Sequence, residues 1–224
     1  LEDLPGYRSV GVGRDDGQEA GEFSPILYDS HRLELLAADT FWFSDQPERP
    51  GSIDETWGNR IPRICTWARL RDRRSGLAFT LFNLHWDHEA QESRLNSARL
   101  LRERIAQREG EGEPVLVTGD FNAGESNRAF RRLLRGKSTP LRDSFRERHP
   151  KAESVGTFNG FEGRRDGEKI DAVLVSPHWR VLAAAILHDN REGRYPSDHF
   201  PVTAKLALPR PAAGTAEPGK EDSP

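Results

Sequence analysis

The stretch PVLVTGDFN, at residues 114–122, changes within nine residues from an apolar run to polar side chains. Its first part is short and rich in β-branched residues, which predicts a strand buried on both faces rather than a helix. Gly119 permits a sharp turn or a close approach at the end of that strand. Asp120 and Asn122 then present hard oxygen ligands at its carboxyl end, where they can share one metal ion or one phosphate. Taken alone, these residues are equally compatible with a strand that ends in an Asx turn.

Three further motifs place ionisable side chains at predicted strand ends. They are NLH with His85, ID with Asp171, and SDH with Asp198 and His199. A hard cation such as Mg²⁺ prefers oxygen ligands, and a carboxylate or a histidine orients the attacking water. A histidine also donates a proton to a leaving oxygen near neutral pH when a carboxylate holds its tautomer. The motifs together predict metal-assisted hydrolysis of a phosphate ester, whereas scattered surface polar residues would explain each motif only singly.

Two of the candidate carboxylates require partners elsewhere in the chain. Asp171 lies early in the apolar run IDAVLV, where a carboxylate is costly to bury unless another group pairs with it. Glu22 lies directly before the apolar segment FSPILY, a position more typical of a capping or solvated residue. A functional interpretation of either residue therefore depends on a cationic neighbour that the local pattern does not identify.

A predicted hairpin brings three polar residues to one edge. Residues 64–70 and 78–85 read as strands of similar length, joined by the basic turn RDRRSG. Arg63 lies at the entry of the first strand, and Asn83 and His85 lie at the exit of the second. An antiparallel pair places these positions at the same end. Arg63 by itself also fits a side chain that merely extends from a strand end into solvent.

The remaining pattern predicts a single domain of strands and helices. Alternating apolar residues predict three short strands in a meander, at residues 7–12, 23–30 and 32–37. Residues 40–57 are predicted to be a long irregular loop. One amphipathic helix is predicted after NLHWDH and another at residues 126–134, and each of the last three apolar segments contains a strand.

Composition limits the class of protein. The 224 residues allow one domain at residues 1–208, and the proline-rich residues 209–224 are predicted to be a disordered tail. The net charge of −3 excludes a strong overall attraction to nucleic acid, so a polyanion must be held locally. No membrane span or signal peptide is visible. The single cysteine, Cys65, cannot form an internal disulfide, which favours a reducing compartment such as the cytoplasm, and we expect a monomer.

In their set and order, the motifs resemble those of the endonuclease/exonuclease/phosphatase superfamily. The resemblance covers residues 1–208 and rests on the combination of SDHFPV, GDFN and NLHWDH. The segments GVGRDDG, GEFSPILY, TFWFSDQPE and TWARL are similar to a bacterial branch. The resemblance implies an α+β fold, a four-layer αββα sandwich of the deoxyribonuclease I type that lacks its first strands. It also implies a site at one edge of the two packed sheets.

The resemblance assigns roles to the residues around the phosphate. Asp120 would orient or deprotonate the attacking water, and Asn122 would bind a phosphoryl oxygen or the metal. Asp198 would be a carboxylate on the metal side. His199 would donate a hydrogen bond to the scissile phosphate, with Asp171 as the carboxylate that orients the imidazole. Asp120, Asn122 and Asp198 are thus the implied ligands of Mg²⁺ or Mn²⁺.

The second histidine and its neighbours receive matching roles. His85 would protonate the leaving group, with Glu22 as its carboxylate partner. Arg63 would clamp the phosphate, and Asn83 would contact substrate beside it. Two histidine–carboxylate pairs flanking one phosphate make a consistent mechanism, in which the metal charge supplies much of the transition-state stabilisation.

The chain departs from the family pattern at its beginning. In the family, a strand ending in asparagine and a strand ending in the glutamate of a QE pair precede the point where this chain starts, and that glutamate is the principal metal ligand. We therefore expect the chain to be N-terminally truncated, and by itself to hold Mg²⁺ weakly and to be poorly active.

The sequence thus predicts a metal-dependent phosphoric ester hydrolase that cleaves a phosphodiester or a phosphomonoester. Its substrate would be a phosphorylated small molecule, a lipid headgroup or a nucleic acid, and the sequence leaves that choice open. The alternatives are a non-catalytic module of the same fold that binds phosphorylated ligands, and a truncated, inactive fragment.

Overall fold

The computed structural model describes residues 3–136 and 138–208, and it confirms the expected α+β class. The strands are β1 (Tyr7–Val10), β2 (Ile26–Asp29), β3 (Leu33–Trp42), β4 (Ile64–Asp72), β5 (Ala78–His85), β6 (Val115–Asp120), β7 (Arg142–Asp143), β8 (Asp171–Val175), β9 (Arg180–Ile186) and β10 (Val202–Ala207). The helices are α1 (Gln91–Gln107), α2 (Arg128–Leu134) and α3 (Ser144–Arg148). The tail predicted at residues 209–224 lies outside the described residues.

Six strands form one large sheet in the order β3-β4-β5-β6-β8-β7. The hairpin predicted between β4 and β5 is present. Strands β5 and β6 are parallel, with α1 between them in the chain, whereas β8 runs antiparallel to β6. The carboxyl ends of β5 and β6 therefore meet the beginning of β8 at a single edge of the sheet.

The meander predicted for the first three strands is wrong. Strands β1 and β2 pair with each other, but β3 crosses into the large sheet and pairs with β4. Strand β3 also continues to Trp42, into the segment predicted to be irregular. Phe41 and Trp42 are buried there and lie opposite Cys65 and Ile64 of β4. Pairing with β4 therefore extends β3 beyond the end that its local sequence pattern predicts.

The two faces of the large sheet pack against different layers. Helices α1 and α2 cover one face, where Val115 and Val117 of β6 are fully buried with Ala98 and Leu101 of α1. The pairs β1–β2 and β9–β10 lie against the other face. Leu116 points to that second face and is only half-buried, so the prediction that β6 is buried on both faces holds for one face alone. Within the described residues the two strand pairs are separate sheets.

Helix α2 begins two residues later than predicted. The helix starts at Arg128 with Asn127 as its N-cap, because the Asn127 side chain accepts a hydrogen bond from the Ala129 N–H. Residues Phe130 and Leu133 are buried, as the amphipathic pattern requires. In the part of the chain that the structure describes, no helix combines the length and the apolar character needed to cross a membrane.

Gly119 is required by a close approach between β5 and β6. Its φ is +136°, and a Cβ at this position would lie 2.0 Å from the Leu84 carbonyl oxygen. We expect Gly119→Ala to lower the free energy of unfolding by about 3 kcal/mol or more, since backbone must move. Gly76→Ala is the matched control, because Gly76 also has a positive φ but open space around it, and it should cost only about 1–2 kcal/mol. Urea denaturation measures both, and equal losses would contradict the steric explanation.

Candidate active site

Strand register aligns three ionisable residues in one row. His85 of β5 lies opposite Asp120 of β6, and Asp120 lies opposite Asp171 of β8. Side chains alternate along a strand, so Asp120 shares the face of Leu116, and Asp171 shares the face of Val173. Both apolar residues pack toward the strand pairs. The row therefore lies at the mouth between the large sheet and the second layer.

The loop before β10 adds His199 to this row. His199 Nδ1 lies 2.8 Å from Asp171 Oδ2, and His199 Nε2 lies 4.0 Å from Asp120 Oδ2. The hydrogen bond to Asp171 raises the pKa of His199 and outweighs the effect of burial. The predicted contact between Asp171 and His199 is thus present, and it leaves Nε2 directed toward Asp120.

The pKa of His85 is shifted in the opposite direction from that of His199. Its Nδ1 lies 3.2 Å from Glu22 Oε2, while Arg63 donates a hydrogen bond to its Nε2 at 3.0 Å. Arginine has no acceptor, so Nε2 must be the unprotonated nitrogen and Nδ1–H points to Glu22. Burial, followed by the charges of Arg63 and Arg14, lowers the pKa of His85 to about 3. The Glu22 side chain is 60% exposed, and water screens its opposing charge.

Asp120 occupies the centre of the site. Burial and the nearby charge of Asp171 raise its pKa to about 6. Its Oδ1 accepts a hydrogen bond from the Asn122 N–H at 2.7 Å, and its Oδ2 lies 3.5 Å from His85 Nε2. A cavity of about 540 Å³ opens beside it. This cavity is lined by Glu22, His85, Asp120, Asp171, Asp198 and His199, six of the nine residues that the sequence identified.

One group of side chains is arranged to hold a cation. Single ligand atoms of Asp120, Asp171 and His199 all lie within 4.8 Å of one another. Two carboxylates suit a hard divalent ion, and their mutual repulsion, seen in the raised pKa of Asp120, is what a cation would relieve. Asp120 belongs both to this group and to the ligand set implied by the sequence, whereas the carboxylate of Asp198 lies outside the group. Asp171 lies beside Asp120 because β6 and β8 pair antiparallel.

Asn122 is held by backbone groups beside the site. It adopts the left-handed conformation, with φ 45°, and its Nδ2 donates a hydrogen bond to the Trp86 carbonyl oxygen at 2.9 Å. Its own N–H closes an Asx turn onto Asp120. The alternative interpretation of GDFN, a strand that ends in an Asx turn, therefore describes the local backbone correctly. The same turn fixes the orientation of the Asp120 carboxylate.

Asp198 and Asn83 occupy more peripheral positions. Asp198 lines the cavity, and its Oδ1 accepts a hydrogen bond from the Ser197 hydroxyl at 3.3 Å. Asn83 lies one alternation before His85 on β5. Its Nδ2 donates to the Pro25 carbonyl oxygen, and its Oδ1 accepts from the Thr118 hydroxyl, each at 2.9 Å. Both ends of the Asn83 side chain thus bind protein, and substrate contact by Asn83 stays a prediction.

The geometry does not support the direct phosphate contact implied for Arg63. The residue is only 3% exposed. Its guanidinium contacts His85, Asp87 Oδ2 at 3.4 Å and His88 Nδ1 at 2.7 Å. Arg63 therefore holds the His85 ring in place through the hydrogen bond to its Nε2. Asp87 and His88 were missed by the sequence reasoning although they belong to the same HWDH run.

Arg14 is a further residue that the sequence did not identify. Its Nη1 donates to Glu22 Oε2 at 2.6 Å, and its side chain is 13% exposed. It lies in the polar loop between β1 and β2, where composition gave no reason to separate it from its charged neighbours. Only the tertiary contact with Glu22 connects Arg14 to the site.

The low pKa of His85 is testable through Arg63. In Arg63→Gln, we expect the pKa of His85 to rise above about 3 but to remain below its usual 6.5, because burial is the larger cause. NMR titration of the imidazole measures the change. Arg74→Gln, in the exposed turn at the opposite end of the β4–β5 hairpin, should leave the value unchanged. An unchanged His85 pKa in Arg63→Gln would show that the guanidinium does not act on the ring.

Comparison with known proteins connects this geometry to a family. A model of the Endonuclease/Exonuclease/phosphatase family matches residues 22–199, a range that begins at Glu22 and ends at His199. Both histidine–carboxylate pairs therefore lie inside the matched region.

Solved structures of similar proteins have the same fold. An endonuclease/exonuclease/phosphatase from Bacteroides vulgatus is 34% identical, with 92% of this chain and 78% of that chain covered and a TM-score of 0.83. A mannosyl-6-phosphatase of Bacteroides thetaiotaomicron VPI-5482 is 35% identical, with 92% and 79% covered and a TM-score of 0.81. These similarities confirm the fold that the sequence motifs implied.

A more distant relative is known from sequence. An uncharacterized protein of Acanthamoeba polyphaga mimivirus is 29% identical over 129 residues, which are 56% of this chain. The match spans 46% of that relative, so the chain covers less than half of its length.

Proposed function

Because the chain belongs to the endonuclease/exonuclease/phosphatase family, we propose that it is a Mg²⁺-dependent hydrolase that cleaves a phosphate ester by attack of water. One observation supports this proposal above all others. Asp120 lies between two imidazoles, and each imidazole contacts a second carboxylate, His199 with Asp171 and His85 with Glu22. An acid–base centre flanked by paired histidines suits proton transfer around a bound phosphate.

The carboxylates of Asp120 and Asp171 would hold the metal in this proposal, and His199 Nε2 stays free to carry the proton that it donates. Mg²⁺ and Mn²⁺ both accept carboxylate oxygens and keep several waters. When bound, the ion would supply positive charge that stabilises the phosphoryl oxygens in the transition state.

Asp120 is proposed as the base. In the metal-free protein its pKa is about 6, so the carboxylate is ionised at neutral pH and its free oxygen can accept a proton from water. The hydrogen bond from the Asn122 N–H occupies Oδ1, so Oδ2, which faces the two imidazoles, is the oxygen that receives the proton.

His199 is proposed as the proton donor. Its Nδ1–H is donated to Asp171, so that a protonated ring presents Nε2–H to the phosphate and its leaving oxygen. The sequence assigned leaving-group protonation to His85 instead. A pKa of about 3 keeps the His85 imidazole neutral and argues against that role. We propose instead that the neutral His85 ring has a positioning role beside Asp120.

The proposed substrate is a phosphomonoester of a small molecule. The similar protein from Bacteroides thetaiotaomicron is a mannosyl-6-phosphatase, which makes sugar phosphates the first compounds to assay. The net charge of −3 favours a small anion bound locally over a long polyanion.

The test is an assay of the full-length protein. Phosphate release from mannose 6-phosphate is compared with cleavage of bis(p-nitrophenyl) phosphate and single-stranded DNA, each with Mg²⁺, Mn²⁺ or EDTA. We expect metal-dependent release from the monoester, and its loss in Asp120→Ala. Binding of phosphate in calorimetry without turnover of any ester would instead support a non-catalytic binding module.

A further inference from the structure

Three large aromatic side chains are exposed on segments that are bonded to, or line, the site cavity. Phe23 is 44% exposed, Phe158 is 49% exposed and Phe161 is 59% exposed. We call these three residues the aromatic rim. Single exposed apolar residues are common, but several beside one catalytic cavity are typical of a binding surface.

Two members of the rim contact the site directly. Phe23 lines the same cavity as His85 and His199. The Phe158 ring lies 5.3 Å from the His199 imidazole at an interplanar angle of 73°, and the two residues form a backbone bridge. An edge-to-face contact of this kind leaves ring surface available to a second partner.

Phe161 is held outward at an energetic cost. Its φ is 61°, in the left-handed region that a bulky residue seldom adopts. Its N–H donates to the Oδ1 of Asn159, a side chain with no exposed surface. The Asn159 and Gly160 N–H groups both donate to the Asp198 carbonyl oxygen, at 2.7 and 3.0 Å. The turn is therefore built firmly, although it gives Phe161 no buried contact that would repay the strain.

The loop that carries Phe158 and Phe161 is fixed relative to the catalytic residues. The Thr157 hydroxyl accepts hydrogen bonds from the N–H groups of Ile170 and Asp171 at 2.9 and 3.1 Å. The Thr157 carbonyl oxygen accepts from the Phe200 N–H at 2.7 Å. The loop is thus bound both to the beginning of β8 and to the segment after His199. The backbone of this loop is therefore held in place beside Asp171 and His199.

We propose that the aromatic rim binds the ring of the alcohol that the substrate phosphate esterifies. The substrate is then the phosphate ester of a sugar or of a nucleoside, since a sugar offers the C–H face of its ring and a nucleoside offers a flat base to an aromatic side chain. The charged groups of the site would bind the phosphate, whereas the aromatic rim would bind the alcohol that leaves. This inference rests on the proposed function and narrows its substrate class.

The test compares ring-bearing and acyclic substrates. kcat/KM is measured for mannose 6-phosphate, AMP and glycerol 3-phosphate with the wild type, Phe161→Ala, Phe161→Trp and Phe23→Ala. We expect the ratio of ring-bearing to acyclic kcat/KM to fall about 5- to 10-fold in each alanine variant, the effect of losing one stacking contact. Phe161→Trp should retain the ratio. The larger wild-type value identifies the ring as a sugar or a nucleoside.

Leu182→Ala is the matched control, because Leu182 is exposed on β9 and does not line the cavity. If the ratio of ring-bearing to acyclic kcat/KM is unchanged in both alanine variants, or falls only as much as in the control, the inference about the aromatic rim is overturned. Hydrolysis of the esters by these variants would still support the proposed function. If the wild type hydrolyses no ester, the proposed function fails. Calorimetry then tests ligand binding by the aromatic rim separately. Mannose 6-phosphate or AMP must bind more tightly than inorganic phosphate, and Phe161→Ala must remove the difference in affinity.

Discussion

Replacing Asp120 by asparagine is expected to lower kcat/KM for phosphate-ester hydrolysis by about 10²- to 10⁴-fold, the range for loss of a general base. The amide is isosteric and still accepts the hydrogen bond from the Asn122 N–H, so the local turn is retained. It has no basicity, and it weakens the group that would hold a cation. Steady-state kinetics at saturating Mg²⁺ measures the loss. Activity within tenfold of the wild type would remove Asp120 from the role of base.

The same substitution is expected to stabilise the metal-free protein. Asp120 has a pKa of about 6 in the folded state, above its ordinary 3.8, so the folded state binds this proton more tightly than the unfolded state. The stabilisation from protonation is complete below about pH 4 and is lost as the pH rises through about 6. Above that pH, Asp120→Asn should therefore be more stable than the wild type by roughly 2–3 kcal/mol, at 1.36 kcal/mol per pKa unit.

Urea denaturation in EDTA at pH 4 and pH 8 tests this dependence. The difference between Asp120→Asn and the wild type should be present at pH 8 and nearly absent at pH 4. Asp166→Asn removes the same charge at an exposed position and controls for net charge. A difference that is equal at both pH values would mean that Asp120 is not the group whose proton is linked to folding.

Asp171→Asn is expected to lower kcat by about 10²-fold and to move the alkaline limb of the pH profile to lower pH. Asp171 raises the pKa of His199 through its hydrogen bond, so the protonated imidazole persists to higher pH in the wild type. Without the carboxylate charge, the His199 pKa falls toward its ordinary value. The proton donor is then lost as the pH rises through that lower value.

Kinetics between pH 5 and 9, together with NMR titration of His199, measures both effects. Asp198→Asn is the matched control, because it removes the same charge from the same cavity but has no hydrogen bond to the His199 ring. It should move the alkaline limb less. A full-length Asp171→Asn protein with wild-type activity and an unmoved limb would remove Asp171 from the mechanism.

Local pattern was sufficient for much of the strand framework. The β-branched run before Asp120 and the hairpin that ends at His85 were predicted because side-chain alternation and turn composition act over a few residues. The end of β3 was mispredicted, since the strand continues from residue 37 to Trp42 only because β4 supplies its partner. Two-strand pairing depends on residues far apart in sequence, which a local period does not encode.

The candidate site likewise combines features that the sequence predicts with features that only the fold decides. The sequence by itself identified side chains that the fold brings to one cavity, because His85, Asp120, Asp171 and His199 each stand in a short motif at a strand end. It also required partners for its isolated carboxylates, and Asp171 has one in His199. Residue type and adjacency are covalent properties, so these inferences needed no coordinates.

Tertiary structure alone decided how those side chains work. The parallel register of β5 and β6 with the antiparallel β8 set the row His85, Asp120 and Asp171, and it made Asp171 rather than Asp198 the neighbour of the central carboxylate. Burial raised the pKa of Asp120 to about 6 and lowered that of His85 to about 3. Desolvation and the field of distant charges arise only when the chain is folded, and for that reason the protonation states, unlike the residues, could not be predicted from the sequence.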